Sequence, residues 1–146
     1  MILRASPGTV DVVERAARRF TGAAAGVAAF VRSPETIAFV AVDAREVQGW
    51  CWGYLLARPD GTSMLCLHHL EVAESCRRQG IGRGLLRSFM EAGVRLGAGK
   101  MFLTTGEGNL AARRLYESMG AGLATQGPTV NYWFLLNDAR SPGVGV

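Results

Sequence analysis

The chain has 146 residues, of which 49% are hydrophobic and 19% charged, and its formal net charge is +4. This length and balance predict one globular domain with a sizeable core, and no apolar run approaches the length of a membrane span. We expect a cytoplasmic protein with reduced thiols, because the first ten residues lack the apolar core of a signal peptide and the three widely spaced cysteines suggest neither a disulfide framework nor a metal site.

The positive charge does not indicate a nucleic-acid partner. The arginines are spread through the predicted helices, and the local cluster runs from Arg77 to Arg83. A nucleic-acid surface needs a longer basic stripe with interleaved aromatic side chains. A small polyanionic molecule accounts for the cluster instead.

The first part of the chain predicts a short strand followed by two helices. Residues 2–5 form a short apolar run that ends at Ser6-Pro7-Gly8, which indicates a strand and a turn. Between residues 10 and 20 the apolar residues recur at steps of three and four, which is typical of an amphipathic helix. An alanine-rich second helix over 23–31 ends before Ser33-Pro34.

The middle of the chain predicts a hairpin. Residues 36–42 are continuous and β-branched, residues 47–57 are rich in aromatic side chains, and the polar residues between them favour a turn. Trp50, Trp52 and Tyr54 share one face of the second strand by its period of two. We favour packing on the sheet over a substrate platform as the role of these three side chains.

The later elements complete a mixed sheet. Periodicity and turn residues predict a strand over 63–72, a helix over 85–97, a strand over 100–104, a helix over 109–119, and short strands near 121–125 and 130–136. The chain is therefore predicted to be a single α/β (α+β) domain over 1–137, with a central, mixed, mostly antiparallel sheet of about seven strands flanked by four helices. The Ser, Pro and Gly content of residues 138–146 predicts a flexible tail.

A glycine-rich turn between strand and helix predicts an anion-binding site. In Arg77-Arg78-Gln79-Gly80-Ile81-Gly82-Arg83-Gly84 three alternating glycines let the backbone curl and present several N–H groups to one point. The arginine charges and the positive end of the following helix add to the attraction. The segment lacks both the Lys-Ser/Thr ending of a P-loop and the third glycine of a dinucleotide fingerprint. A basic turn that merely caps a surface helix is the alternative.

Together with two further segments, this turn resembles the GNAT superfamily of N-acetyltransferases. Arg77-x-x-Gly80-x-Gly82 resembles the family's loop for the pyrophosphate of acetyl-CoA, Leu70-Glu71-Val72 precedes it as in the family, and Asn109-Leu-Ala-Ala-Arg-Arg-Leu-Tyr116-Glu-Ser-Met-Gly120 matches the second cofactor segment. The resemblance implies acetyl-CoA as the cofactor. It implies that the cofactor contacts the following residues: Leu70, Val72, Arg77, Arg78, Gln79, Gly80, Ile81, Gly82, Arg83, Gly84, Asn109 and Arg113.

Part of the chain is similar to one branch of this superfamily, the aminoglycoside 3-N-acetyltransferases. Residues 63–84 and the helix end Leu-Tyr-Glu-Ser-Met-Gly carry this similarity, which is looser in the first sixty residues. The chain departs from the branch at His69, where those enzymes tend to carry a carboxylate. An aminoglycoside polycation also needs an acidic pocket, for which Glu71, Glu107 and Glu117 are candidates. We expect Glu107 to bind the substrate.

Acetyl transfer to an amine is helped by a base that removes the amine's proton. Strand alternation puts Leu67, His69 and Glu71 on one face of the strand and His68 on the other. His69 and Glu71 are therefore the candidates for the general base. An imidazole ordinarily titrates near pH ~6.5, and a neighbouring carboxylate can orient it or relay a proton through water. Two polar residues on a solvated sheet face are the alternative.

The departing thiolate needs a proton or a hydrogen bond, and Tyr116 is the candidate acid. Tyr116 shares a helical stripe with Asn109 and Arg113, and the family match falls on the same residue. A tyrosine packed against the sheet is the alternative. We favour the catalytic role over packing for these two reasons.

We predict an acetyl-CoA-dependent N-acetyltransferase that acts on a primary amine of a small molecule, with the 3-N position of an aminoglycoside as the favoured acceptor and antibiotic resistance as the role. A polyamine and a peptide or protein amine are alternative acceptors. A non-catalytic acyl-CoA-binding domain is the alternative of a different class. A homodimer is left open, and no nucleic acid, membrane or metal ion is expected as a partner.

Overall fold

The computed structural model describes residues 1–44 and 46–137. Its strands and α-helices follow in this order: β1 (Ile2–Arg4), α1 (Val10–Thr21), α2 (Val27–Arg32), β2 (Thr36–Val42), β3 (Val47–Ala57), β4 (Ser63–Val72), α3 (Ile81–Arg95), β5 (Lys100–Phe102) and α4 (Leu110–Ser118). Short 3-10 helices lie at Pro7–Thr9 and Glu74–Cys76. The predicted α/β fold, with a mixed sheet and four helices, is confirmed.

The strands form one sheet in the order β1-β2-β3-β4-β5. The first three neighbouring pairs are antiparallel, and β5 is parallel to β4 because α3 carries the chain back along the sheet before β5 begins. β5 pairs with β4 only at Met64, Leu65 and Cys66. In the described part of the chain, the edge of β4 that faces away from β3 is therefore uncovered from Leu67 to Val72.

Helices cover both faces of the sheet and create two cores. On one face, α3 buries Leu85, Leu86 and Phe89 against β2, β3 and β4. On the other face, α1 and α2 bury Val13 and Val27 against β2 and β3. Burying one large apolar side chain contributes about 1.5–3 kcal/mol. Because α3 buries five residues and α4 buries none completely, α3 holds the sheet more firmly than α4 does.

Two glycines of β3 let α3 approach the sheet closely. A Cβ atom at Gly53 would lie 2.8 Å from Cζ of Phe89 and would overlap the carbonyl oxygen of Cys66. At Gly49, a Cβ atom would lie 3.2 Å from Cδ1 of Leu85. Any side chain at either position would displace α3 or β4, so packing requires glycine there.

A β-bulge in β4 changes which side chains share a face. Trp52 pairs with His69, but the next residue, Gly53, pairs with Leu67, so His68 is the extra residue. His68 and His69 therefore both contact Trp52 on the α1–α2 face, whereas Leu67 lies in the core on the α3 face. The predicted alternation is wrong at these residues. The pairing of two strands, rather than the pattern within one strand, introduces the bulge.

The prediction of about seven strands is wrong, because the sheet has five. Residues 121–137 carry the apolar pattern of two strands but form neither, and all of them are exposed. Trp133, for example, is 90% exposed. A strand needs a hydrogen-bonded neighbour, and β5, with only three residues, offers too short an edge to hold this segment.

Smaller differences concern helix ends. α2 begins at Val27 rather than at residue 23, because Gly22 ends α1 with a left-handed φ of 80° and the chain turns before α2 starts. α3 begins at Ile81, inside the glycine-rich turn, rather than at residue 85. The predicted tail, 138–146, lies outside the described residues. None of the helices in the described ranges has the length and apolar character to cross a membrane.

Candidate active site

The glycine-rich loop curls the chain from the end of β4 into α3. Arg78 and Gly80 have positive φ angles of 63° and 79°, and Gly80 is the N-cap of α3. Glycine adopts this left-handed conformation freely, whereas a residue with a Cβ atom pays roughly 1–2 kcal/mol for it. Together the two residues turn the chain between the end of β4 at Val72 and the start of α3 at Ile81.

The first turn of α3 keeps backbone N–H groups free for a ligand. The first bond of the helix runs from the N–H of Gly84 to the carbonyl oxygen of Gly80, over 3.0 Å. Within residues 1–44 and 46–137, the N–H groups of Ile81, Gly82 and Arg83 have no hydrogen-bond partner. Three such donors at the positive end of a 15-residue helix suit a phosphate or a pyrophosphate.

The glycines of this loop serve different purposes. A Cβ atom at Gly84 would lie 3.0 Å from Cδ1 of Ile2, so this glycine lets β1 pack closely against α3. A Cβ atom at Gly82 would lie 3.4 Å from Leu115 and 3.6 Å from Val72, which is ordinary contact. Packing therefore does not require glycine at position 82, and a ligand that approaches the backbone is the better explanation.

Two of the three clustered arginines also hold the loop in place. Nε of Arg77 donates to the carbonyl oxygen of Val72 over 3.2 Å, and Arg83 donates to Oγ of Ser118 over 2.7 Å. Arg78 and Gln79 are exposed, and neither side chain makes a hydrogen bond or ion pair in the described ranges. A guanidinium group has five N–H donors, so Arg77 and Arg83 keep donors available for an anion.

The backbone of β4 is accessible beside this loop. Because β5 ends at Phe102, opposite Cys66, the backbone groups of β4 beyond Leu67 have no strand on that side. The side chains of Leu70 and Val72 pack against the core on the α3 face. An extended ligand can therefore add to this edge through backbone hydrogen bonds alone.

The structure brings His69 and Glu71 together. Nε2 of His69 lies 3.3 Å from Oε1 of Glu71, and the two side chains are 33% and 40% exposed. Nε2 is closed off from solvent and lacks a well-aligned hydrogen bond to any described residue, so the short distance is an electrostatic contact. Nδ1 also has no hydrogen-bond partner in the described ranges but, unlike Nε2, it is not fully enclosed.

Aromatic rings surround His69 and Glu71 on the α1–α2 face. Trp52 stacks on His68 with ring centroids 4.5 Å apart and on His69 at 6.2 Å. Phe30 and Tyr54 meet the same indole edge-on, at 5.7 Å and 6.0 Å. The predicted sharing of one face by the aromatic side chains of β3 is confirmed. These contacts fit sheet packing, but they also leave a ring surface beside His69.

Tyr116 lies on the opposite face of the sheet from His69. It packs against the α3 core and lines a cavity of about 120 Å³ together with Met101, Leu103 and Met119. Burial raises the pKa of Tyr116, and repulsion from the negative charge of Cys51 in its thiolate form raises it further. The phenol is therefore protonated at neutral pH. The structure does not bring Tyr116 into contact with His69 or Glu71, so the three residues can act together only on a ligand between them.

The start of α4 is held by its own side chains. Oδ1 of Asn109 accepts a hydrogen bond from the N–H of Ala112 over 3.2 Å, which confirms Asn109 as the cap of this helix. Arg113 donates to the carbonyl oxygen of Glu107 over 2.9 Å. The Glu107 side chain is exposed, and no hydrogen bond or ion pair joins its carboxylate to a described residue. Nothing in this geometry places Glu107 beside His69.

A larger hollow, of about 450 Å³, lies on the outer side of α3 and is lined by Arg87, Met90, Glu91, Val94, Arg95 and Met119. None of the predicted site residues lines it.

The candidate active site therefore lies along β4 and the start of α3. Two contributors to it, Phe30 and His68, were not predicted, because a helix packing on the sheet and a bulge bring them there.

The order of elements, the uncovered edge of β4 and the free N–H groups after it define an acetyltransferase fold. The chain belongs to the GNAT family of acetyltransferases, whose sequence model matches residues 11–121. Enzymes of this family use acetyl-CoA as the acetyl donor. A search of curated proteins gave no match.

Solved structures share the fold. An aminoglycoside acetyltransferase from an uncultured soil metagenomic sample is 23% identical, with a TM-score of 0.76 over 91% of this chain and 98% of that one. A second such enzyme, in complex with sisomicin, is 16% identical with a TM-score of 0.82 over 93% and 95%. The aminoglycoside N-acetyltransferase AAC(6')-Iy in complex with CoA is 13% identical with a TM-score of 0.77 over 91% and 93%. At these identities the neighbours support the fold.

Proposed function

We propose that the chain is an acetyl-CoA-dependent N-acetyltransferase that acts on a primary amine of a small molecule. The observation that carries this proposal is the continuity along β4. In the described part of the chain, the uncovered edge of β4 is followed, after the glycine-rich loop, by three N–H groups without a partner at the start of α3, and the His69–Glu71 contact lies on the same strand.

The residues of this region suit the parts of acetyl-CoA. The N–H groups of Ile81, Gly82 and Arg83, with the cluster of arginine charges, suit the pyrophosphate. The uncovered backbone of β4 from Leu67 to Val72 suits the amides of the pantetheine arm. Bound there, acetyl-CoA supplies an acetyl group activated as a thioester.

In this proposal a side chain of β4 accepts the proton of the amine, and a side chain of α4 donates a proton to the leaving group. Nδ1 of His69 accepts the proton of the attacking amine, because Nε2 is enclosed beside Glu71. The Glu71 carboxylate stabilises the positive charge that forms on the ring. The Tyr116 hydroxyl, which burial keeps protonated, donates to the departing sulfur from the opposite face of the sheet.

The names of the structural neighbours supply one candidate for the acceptor amine. Two of them are named aminoglycoside acetyltransferases from soil samples and one is an aminoglycoside N-acetyltransferase. Within this proposal, the 3-N amine of an aminoglycoside is one acceptor to test, with Glu107 as a contact. Antibiotic resistance would be the corresponding role.

A thiol-release assay with acetyl-CoA and a panel of amines tests the proposal. The panel contains aminoglycosides, spermidine, amino acids, short peptides and arylalkylamines. We expect turnover with at least one small primary amine and a matching gain of one acetyl group in the product's mass. Calorimetric binding of coenzyme A without turnover of any amine would instead indicate a non-catalytic binding domain.

A further inference from the structure

The face of the sheet that carries His69 and Glu71 has a composition that selects among amines. We propose that the acceptor is a monoamine joined to an aromatic or flat apolar body, rather than a polycation. This inference rests on the proposed function, because it assigns the substrate class of the same site. Three observations support it: the ring surface, the count of carboxylates and the enclosed polar atoms.

The ring surface lies directly beside the candidate base. Trp52 contacts Phe30, Tyr54 and both histidines, and of these side chains His68 is exposed while the others are partly buried. Flat rings stack on such a surface in offset or edge-on arrangements and bury apolar area. An acceptor with an aromatic or flat apolar body therefore gains contacts here while its amine lies near His69.

The elements that carry the ring surface contribute few carboxylates for an ammonium group. The four elements α2, β2, β3 and β4 contain a single acidic residue, Glu71. On α1, Glu14 forms an ion pair with Arg18 over 2.9 Å, and Asp11 is exposed in the first turn. Glu46, beside the β2–β3 turn, pairs with Arg19 over 3.1 Å. A molecule with several ammonium groups finds one carboxylate in the elements that carry the rings, whereas Glu35, which accepts a hydrogen bond from Ser33, and Asp11 lie exposed outside these elements.

Three polar atoms around the base are also enclosed. Nε1 of Trp50, Nε1 of Trp52 and Nε2 of His69 are closed off from solvent and have no hydrogen-bond partner in the described ranges. Removing an unpaired ammonium group from water is unfavourable, so each additional charge of a polycation weakens binding here. A single ammonium group faces Glu71 and the negative faces of the rings, and desolvation also makes it release its proton more readily.

Initial rates of thiol release with matched amines test the inference. We expect kcat/KM for phenylethylamine and tyramine to exceed kcat/KM for sisomicin and spermidine by about 10-fold or more. The reverse order would overturn the inference while the proposed function stands. If coenzyme A binds by calorimetry but none of these amines is acetylated, the proposed function fails and the inference fails with it.

Two variants separate a ring surface from general packing. Trp52→Leu should raise the KM for phenylethylamine about 10-fold, whereas Trp133→Leu, at a site that is 90% exposed, should leave it unchanged. Tyr54→Glu adds a carboxylate at a partly buried position and should shift the ratio of kcat/KM values toward spermidine by about 10-fold. Loss of folding would lower both kcat/KM values and could not shift their ratio toward spermidine. An unchanged ratio in Tyr54→Glu would overturn the inference.

Discussion

Nε2 of His69 lies 3.3 Å from Oε1 of Glu71, and that nitrogen is closed off from solvent. In the proposed mechanism a proton from a ligand therefore reaches the ring at Nδ1, while the carboxylate lies at the other nitrogen. The proposed roles of His69 as general base and of Glu71 as the group that orients it rest on this geometry.

We expect His69→Ala to lower kcat/KM by about 10²-fold or more and to remove the acid limb of its pH profile. Coenzyme A affinity, measured by calorimetry, should hardly change, because the histidine lies on the face opposite the α3 core. Loss of the limb in Glu71→Gln, with the limb retained in His69→Ala, would identify Glu71 as the base. Full activity in both variants would show that this face is not the active site.

Gly82→Val is expected to abolish coenzyme A binding while the protein stays folded. The added Cβ atom meets only ordinary contacts with Leu115 and Val72, but the side chain would lie among the N–H groups of the first helical turn that have no partner in the described ranges. Gly122→Val is the matched control, since a Cβ atom there has nothing within 4 Å. Calorimetry measures affinity and circular dichroism checks the fold, and unchanged affinity in Gly82→Val would exclude the loop as the binding site.

The arginines of the loop should differ in what they contribute. Arg78→Ala should weaken coenzyme A binding by about 10-fold at low salt without changing the melting temperature, because the side chain makes no hydrogen bond in the described ranges. Arg83→Ala should also lower the free energy of unfolding, by about 0.5–1.5 kcal/mol, because its bond to Ser118 is lost. Arg95→Ala, at the far end of α3, is the control.

Tyr116→Phe is expected to lower kcat by about 10²-fold and to remove the alkaline limb of the activity profile. Burial raises the pKa of Tyr116 above the ordinary 10.0. Activity that needs the phenol proton should therefore be complete below pH ~10 and fall only as the pH rises through the higher pKa. Tyr132→Phe, at an 81% exposed position, serves as the control. An alkaline limb that survives in Tyr116→Phe would exclude the phenol as the acid.

The three cysteines should react unequally with a thiol reagent at pH 8. Burial raises the pKa of Cys51 to about 12, so only about one molecule in 10⁴ carries the thiolate at this pH. Cys76 is buried and its thiol lies 3.5 Å from Glu46, whereas Cys66 is partly exposed. We expect one thiol to react rapidly in the native protein and three in denaturant. Cys66→Ser should remove the fast phase, and its persistence would contradict this assignment.

Local pattern in the sequence was sufficient for much of the fold. The predicted ranges 36–42, 47–57 and 63–72 coincide with β2, β3 and β4, because their β-branched and aromatic residues favour strands and each range has a neighbouring strand to pair with. The glycine-rich segment likewise predicted a loop with free N–H groups before a helix. Dihedral preferences and periodicity act within a few residues, and sequence alone contains that information.

The tertiary structure decided the rest. Only the pairing of β3 with β4 produces the bulge that brings His68 beside His69, and only packing closes Nε2 of His69 off from solvent. The apolar pattern of residues 121–137 predicts strands, yet a strand requires an edge that another segment must supply. Register, desolvation and strand partners depend on residues far apart in the chain, so no local pattern determines them.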